Sequence, residues 1–148
     1  DIFFGNMEKF KVPYDMVGYS FYPWSHGTLM DLRDNLYFTV TKFHKSVMVI
    51  ETGYYSEPSD YFEKKGVKPP FPETPEGQMQ WFQAVNEIVM AVPDNMGRGV
   101  FWWEPMFRGR GFFNDRTGDV KPIVDAFRQY AFPAVRADGN PRIWDFED

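Results

Sequence analysis

Two glutamates close two strand-like runs in this chain of 148 residues, and their setting points to carboxylate chemistry. Glu51 ends Ser46-Val47-Met48-Val49-Ile50, a mostly β-branched or apolar run that reads as a buried strand, and Gly53, Tyr54 and Tyr55 follow it. Glu104 ends Gly99-Val100-Phe101-Trp102-Trp103 and precedes Pro105. A third group, Tyr22, Trp24 and His26, closes the run over residues 14–22. Carboxylates set among Tyr, Trp and His at strand ends fit work on a sugar. Cleaving a glycosidic bond normally takes two carboxyl groups, one to protonate the leaving oxygen and one to act as nucleophile or base. Glu51 and Glu104 are the pair at matching strand ends. Adjacent strands lie about 4.8 Å apart, compatible with the roughly 5 to 5.5 Å of a retaining pair. Two assignments stay open: Glu104 shares the chemistry, or it holds sugar hydroxyls while the acid lies elsewhere. A lone carboxylate at a strand end is as often a helix cap or an ion-pair partner. Three such ends together weigh against that.

These side chains need a frame that brings them to one place. Three strand-then-helix units supply it. The first strand covers about 14–22, with Gly18 inside. Its helix runs over 28–43, with Thr28 as N-cap, Asp31 in the first turn, and Leu29, Leu32, Leu36 and Val40 on one face. The second strand covers 46–51. A long loop, 53–74, has the length of a functional loop. Thr74-Pro75-Glu76-Gly77-Gln78 opens the next helix, with Thr74 capping, Pro75 in first position and Gln78 near the capping-box position; it runs to about Ala91. The third strand covers 99–104, the last helix about 120–130, and residues 132–148 read as an irregular tail. Alternating strands and helices predict a parallel α/β arrangement. In a parallel barrel the C-terminal strand ends build the active site, but a (β/α)8 barrel takes about 250 residues, so this chain would cover its later part. The alternative is a small open sheet. No Gly-rich phosphate loop opens any helix, which argues against nucleotide binding.

Composition narrows the classes further. A net charge of -5 without a basic run argues against nucleic acid and anionic membranes, and no apolar stretch is long enough to span a bilayer. The absence of cysteine removes disulfides, thiolate metal sites and a cysteine nucleophile. Aromatic residues make up 20% of the chain, with five tryptophans, a surplus that fits sugar-stacking faces in a cleft or, equally, an aromatic core. The first residue is Asp1, so the expectation is that the natural chain starts further upstream.

Four motifs, in order, carry a specific resemblance. Tyr14-Asp15-Met16-Val17-Gly18-Tyr19-Ser20-Phe21-Tyr22-Pro23-Trp24 with His26-Gly27-Thr28-Leu29 resembles the sixth strand of the family 53 glycoside hydrolases, endo-β-1,4-galactanases that act on arabinogalactan type I. Val47 to Tyr54 is similar to their seventh strand, Thr74 to Gln78 to the start of their seventh helix, and Gly99 to Pro105 to their eighth strand. The resemblance implies a (β/α)8 TIM barrel of which this chain covers strands six to eight, with residues 1–131 in the barrel and 132–148 as the tail. It implies a retaining enzyme with Glu51 as nucleophile, and Trp103 stacking under the sugar at the cleavage point. Tyr22 would orient the nucleophile. Trp24, His26, Tyr54 and Glu104 would line the substrate cleft. Strand four, which carries the acid/base as an Asn-Glu pair, has no counterpart here, so Glu104 is not promoted to that role.

The implied partner is a plant-type galactan or related β-linked polysaccharide, with no nucleic acid and no membrane, and the implied location is secreted or at the cell surface. No cofactor is expected. Some bacterial members bind calcium in the loops after strands seven and eight. Here Glu57, Asp60 and Glu63 form no dense ligand run, and neither His26 nor His44 has a partner at metal-ligand spacing, so no metal is expected. His44 reads as solvent-exposed or as serving a helix C-terminus. Arg108 and Arg110, flanked by glycines, read as a solvated loop. Two other readings remain: a non-catalytic sugar-binding or assembly module made from part of a barrel, and a hydrolase of another β-glycan.

Overall fold

A computed structural model describes residues 2–130 and, further on, the backbone of 134–135 and 141–142. Most of the tail expected over 132–148 lies outside the described residues. Three strands, β1 (Met16–Phe21), β2 (Ser46–Thr52) and β3 (Gly97–Trp102), form one parallel sheet in that order. Helices α2 (Leu29–Phe43) and α4 (Pro75–Met90) make the crossovers, and a last helix (Ile123–Tyr130) packs on α4 through Phe82 and Phe127, whose rings stack 4.0 Å apart. The strand-then-helix order is the expected one.

Local chemistry explains the element ends. Thr28 caps α2: its hydroxyl accepts from the Asp31 N–H at 3.2 Å, while the Asp31 carboxylate accepts from the Thr28 N–H at 2.7 Å. At the other end His44 takes a left-handed conformation and donates its N–H to the Val40 carbonyl, the helix-terminal role expected of it. Thr74 caps α4 by accepting from the Gly77 N–H at 3.1 Å, with Pro75 in the first position. Gln78 departs from expectation. It does not face the cap but turns inward, fully buried, beneath the sheet end.

Two helices escaped the sequence reading, α1 at Ile2–Lys9 and the short α3 at Tyr61–Lys65 inside the long loop. The third strand starts two residues earlier than expected, at Gly97, where the backbone runs so close to α4 that an added Cβ would lie 1.8 Å from the Val89 carbonyl oxygen. It ends at Trp102, leaving Trp103 and Glu104 beyond the strand, and the last helix starts at Ile123, after Pro122.

The two faces of the sheet differ. Val17, Phe21, Val47, Val49, Thr52 and Trp102 are buried toward the helices, where Trp81 stacks on Phe21 and on Tyr54. Met16, Gly18, Ser20, Ile50, Phe101 and Trp103 lie on the opposite, open face. That face is unusually apolar for one in contact with solvent, with Phe101 60% exposed.

One irregularity decides where Glu51 points. Strict alternation after the buried Val47 and Val49 would send Glu51 toward the helices. Instead the register slips, so that Tyr19 pairs with Val49 but Ser20 pairs with Glu51, and Ile50 is an extra residue. This β-bulge puts both Ile50 and Glu51 on the open face and returns Thr52 to the core. The Ile50 side chain lies over Gly18, where a Cβ would approach it to 2.8 Å.

Candidate active site

Glu51 leaves β2 on the open face at the C-terminal end of the sheet, and two hydroxyls meet it. Ser20 Oγ donates to Glu51 Oε2 at 3.3 Å, and the Tyr22 phenol lies near the same carboxylate. Tyr22 is buried, with its ring stacked on Trp24 at 5.1 Å. Burial raises its pKa first, and the neighbouring Glu51 carboxylate raises it further. The phenol therefore stays protonated beside the carboxylate.

The end of β1 is shaped by a turn that His26 closes. Its Nδ1 accepts the Tyr22 backbone N–H at 2.9 Å, which puts the proton of the neutral ring on Nε2. The exposed His26 ring lies 6.0 Å from the Tyr22 ring. Trp103 leaves β3 opposite Thr52, its N–H donating to the Thr52 carbonyl at 2.8 Å, and its side chain is 47% exposed on the open face. An exposed indole beside a carboxylate can stack on the C–H face of a sugar ring.

Two expected lining residues sit elsewhere. Tyr54 is fully buried, stacked on Trp81, and its hydroxyl bonds to the Phe71 carbonyl and N–H. It braces the long loop from below and cannot touch a bound sugar. Trp24 is only 7% exposed, packed against Tyr22, Tyr55, Tyr61 and Phe62, so it backs the Tyr22 ring rather than offering a free face. Its outer edge borders a mostly apolar cavity of about 570 Å³ whose lining includes Leu29, Val67 and Pro70 but not Glu51. Both residues carried the right type at the right spacing, but the core claimed them.

Glu104 takes a left-handed backbone conformation and bonds through Oε2 to Arg110 Nη2 at 3.0 Å. The expectation of a solvated arginine pair fails for Arg110. Arg108 is exposed as expected, but the Arg110 side chain is only 12% exposed and lies over the Phe107 ring at 4.5 Å and the Tyr55 ring at 5.6 Å. Its glycine neighbours are the reason. Gly111 packs its α-carbon against the Pro105 and Phe107 carbonyls, where a Cβ would come within 2.8 Å, so the loop turns tightly and carries Arg110 inward. Burial raises the Tyr55 phenol to about 12, partly offset by the Arg110 charge.

Further ties join the loops after β2 and β3. Gln78 Nε2 donates to both the Tyr54 and Arg110 carbonyls at 2.9 Å, and Trp102 Nε1 also reaches the Arg110 carbonyl at 3.0 Å. The Lys121 ammonium donates to Ser56 Oγ at 2.9 Å and to the Gly111 carbonyl at 3.0 Å, beside a polar cavity that Glu57 and Asp115 also line. Among the described residues no group of three or more His, Asp and Glu side chains could hold a metal ion. Sequence reasoning missed Ser20, Gln78 and Arg110. Only Ser20 had a legible signal, two residues before Tyr22 on an alternating strand.

Residues 1–132 match the family described as Glycosyl hydrolase family 53. An arabinogalactan endo-beta-1,4-galactanase of Cellvibrio japonicus is 33% identical over 105 residues, covering 66% of this chain and 27% of that protein. An endo-beta-1,4-galactanase of Bacillus subtilis is 36% identical over 107 residues, covering 67% of this chain and 24% of its own length. The chain thus spans under a third of these relatives. Among solved structures, a family 53 catalytic domain of Ignisphaera aggregans superposes with a TM-score of 0.75 at 22% identity, over 87% of this chain and 42% of that one. A structure of fungal beta-1,4-galactanases gives 0.64 at 25% identity, over 78% of this chain and 38% of that one. The parallel sheet with its crossover helices is part of a TIM barrel, and the chain belongs to glycosyl hydrolase family 53.

Proposed function

We propose that this chain supplies strands six to eight of a retaining endo-β-1,4-galactanase, with Glu51 as its nucleophile. The observation that carries the reading is the bulge in β2, which lifts Glu51 out of the helix layer and sets it against Ser20 and Tyr22. A carboxylate that accepts from Ser20 beside the Tyr22 phenol is oriented, yet free to attack. The attack forms a glycosyl-enzyme at the anomeric carbon while an acid on another strand protonates the leaving oxygen; the same group then activates water. Glu104 is paired with Arg110, and the acid is the one that the family resemblance places on strand four, which has no counterpart in these residues. The apolar open face, with Met16, Ile50 and Phe101, supports the same reading, since such side chains fill the interior of a closed barrel.

Trp103 is the sugar platform, and His26 and Glu104 supply hydrogen bonds at the rim. The substrate is a β-1,4-linked galactan, following the two galactanase relatives. A polymer of that size does not cross a membrane, so the enzyme works outside the cell. The test is hydrolysis by the full-length natural polypeptide that carries this chain, on galactan against mannan and β-glucan. The wild type should release galacto-oligosaccharides with net retention of the anomer, and Glu51→Gln should abolish turnover while oligosaccharide binding survives. Turnover in Glu51→Gln, or an inverted product, refutes the assignment.

A further inference from the structure

We infer that Arg110 is a positioning residue for the proposed reaction: its clamped guanidinium fixes the Glu104 carboxylate at the cleft rim and sets a positive charge beside the Tyr22–Glu51 pair. This rests on the reading of Glu51 as nucleophile. Several groups hold the side chain. Its flat faces meet Phe107 and Tyr55, Nη2 grips Glu104, and its own carbonyl is pinned by Gln78 and Trp102. Gly53 sits between it and Tyr22: a Cβ built there would lie 3.3 Å from Tyr22 Cε1 and 3.9 Å from Arg110 Cδ. An added Cβ would crowd the Tyr22 ring and meet Arg110 in ordinary contact. Arg110 also has a buried Nε with no partner. An unmet donor is costly, and a structure keeps one where another demand overrides it.

Without Arg110, two carboxylates would share one rim with no cation between them. Glu51 must be ionised to attack, and a neighbouring like charge makes ionisation harder. Arg110 offsets the Glu104 charge, leaving the half-buried Glu51 as the anion that attacks. The titratable groups around this centre are Tyr22 and His26 from the end of β1, Glu51 from β2, Tyr55 from the loop after β2, and Glu104 from the loop after β3. Tyr61 and Asp60 act on Tyr55 from the short helix region.

The test uses the full-length enzyme and reads kcat, KM and the pH profile of kcat/KM on galactan. Arg110→Met should lower kcat/KM about 10- to 100-fold, the range for a charged hydrogen bond, and move the acid limb to higher pH. Arg110→Lys keeps the charge but loses the planar fork, so kcat/KM falls while the acid limb stays in place. Glu104→Gln removes the same ion pair, so its loss and that of Arg110→Lys should not multiply in the double variant. Wild-type kinetics in Arg110→Met overturn the inference, as does an acid limb unmoved in Arg110→Met despite lost activity. If Arg110→Met does not fold, the double variant decides: independent, multiplying losses overturn the inference, and shared losses uphold it. An active wild type with an inactive Glu51→Gln but indifferent Arg110 variants sinks this inference alone. A wild type inactive on galactan sinks the proposed function and this inference with it.

Discussion

Replacing Gly53 with alanine should slow the chemistry and leave stability nearly untouched. An added Cβ would lie 3.3 Å from Tyr22 Cε1, while carbon atoms pack comfortably at about 3.5–4.0 Å, so the Tyr22 ring must retreat by roughly 0.3 Å. The nearest Arg110 atom, at 3.9 Å, needs no movement. Backbone terms favour the alanine by about 0.4–1 kcal/mol, because the unfolded chain loses freedom at this site. Mild crowding of one ring offsets that, and the net change in stability stays within about 1 kcal/mol. Catalysis is less forgiving. In the proposed reaction the Tyr22 phenol would orient Glu51, and a displacement of 1 Å can cost about 100-fold in rate. A few tenths of an ångström should cost about 3- to 10-fold in kcat, with KM changed little. Gly53→Val, which reaches toward Arg110 as well, should cost more in both activity and stability. The assay is steady-state hydrolysis of galactan by the full-length enzyme alongside its thermal midpoint. An unchanged kcat in Gly53→Ala, or a loss of activity that only follows a loss of folded protein, would refute the claim that this close approach sets the Tyr22–Glu51 geometry.

Gly77→Ala is the opposite case: a Cβ there would fall 1.8 Å from the Pro72 carbonyl oxygen, so the start of α4 must move, and urea unfolding should show a loss of about 3 kcal/mol or more. Tyr54 gives a pH signature. Burial pushes its phenol up to about 12 from 10.0, with the Glu73 charge adding and the Phe71 hydrogen bond opposing. The folded value lies above the unfolded one, so the stability that Tyr54 contributes is complete below pH 10 and lost as pH rises toward 12. Urea unfolding across that window should fall less steeply in Tyr54→Phe than in the wild type, and equal slopes would count against the assignment.

Much of the frame was legible because local signals and periodicity agreed. Thr28 with Asp31, and Thr74 with Pro75, marked helix starts that tertiary structure kept. Three apolar runs gave three parallel neighbours in chain order. Glu51 does lie on the open face, but for a reason alternation could not supply. Counting by twos from Val47 buries Glu51, and only the slipped register brings it out. Tyr54 and Trp24 show the opposite failure: aromatic side chains suit a cleft and a core equally, and the choice depends on long-range neighbours such as Trp81 and Phe62. Arg110 was misread because flanking glycines signal both a loose loop and a tight one. Here close backbone packing at Gly111 selects the tight one.

The extra residue in β2 bears on how this strand can change length over time. Between Val49 and Glu51 it holds one residue more than the ladder to β1 uses. An in-frame deletion of Ile50 would close the bulge into a regular ladder and still deliver Glu51 opposite Ser20, at the cost of the apolar cover over Gly18. An insertion has no such slack: it would add a second unpaired residue or swing the carboxylate into the layer of Trp81. Drift in length at this strand is therefore one-sided, with shortening by a codon absorbed and lengthening by a codon selected against.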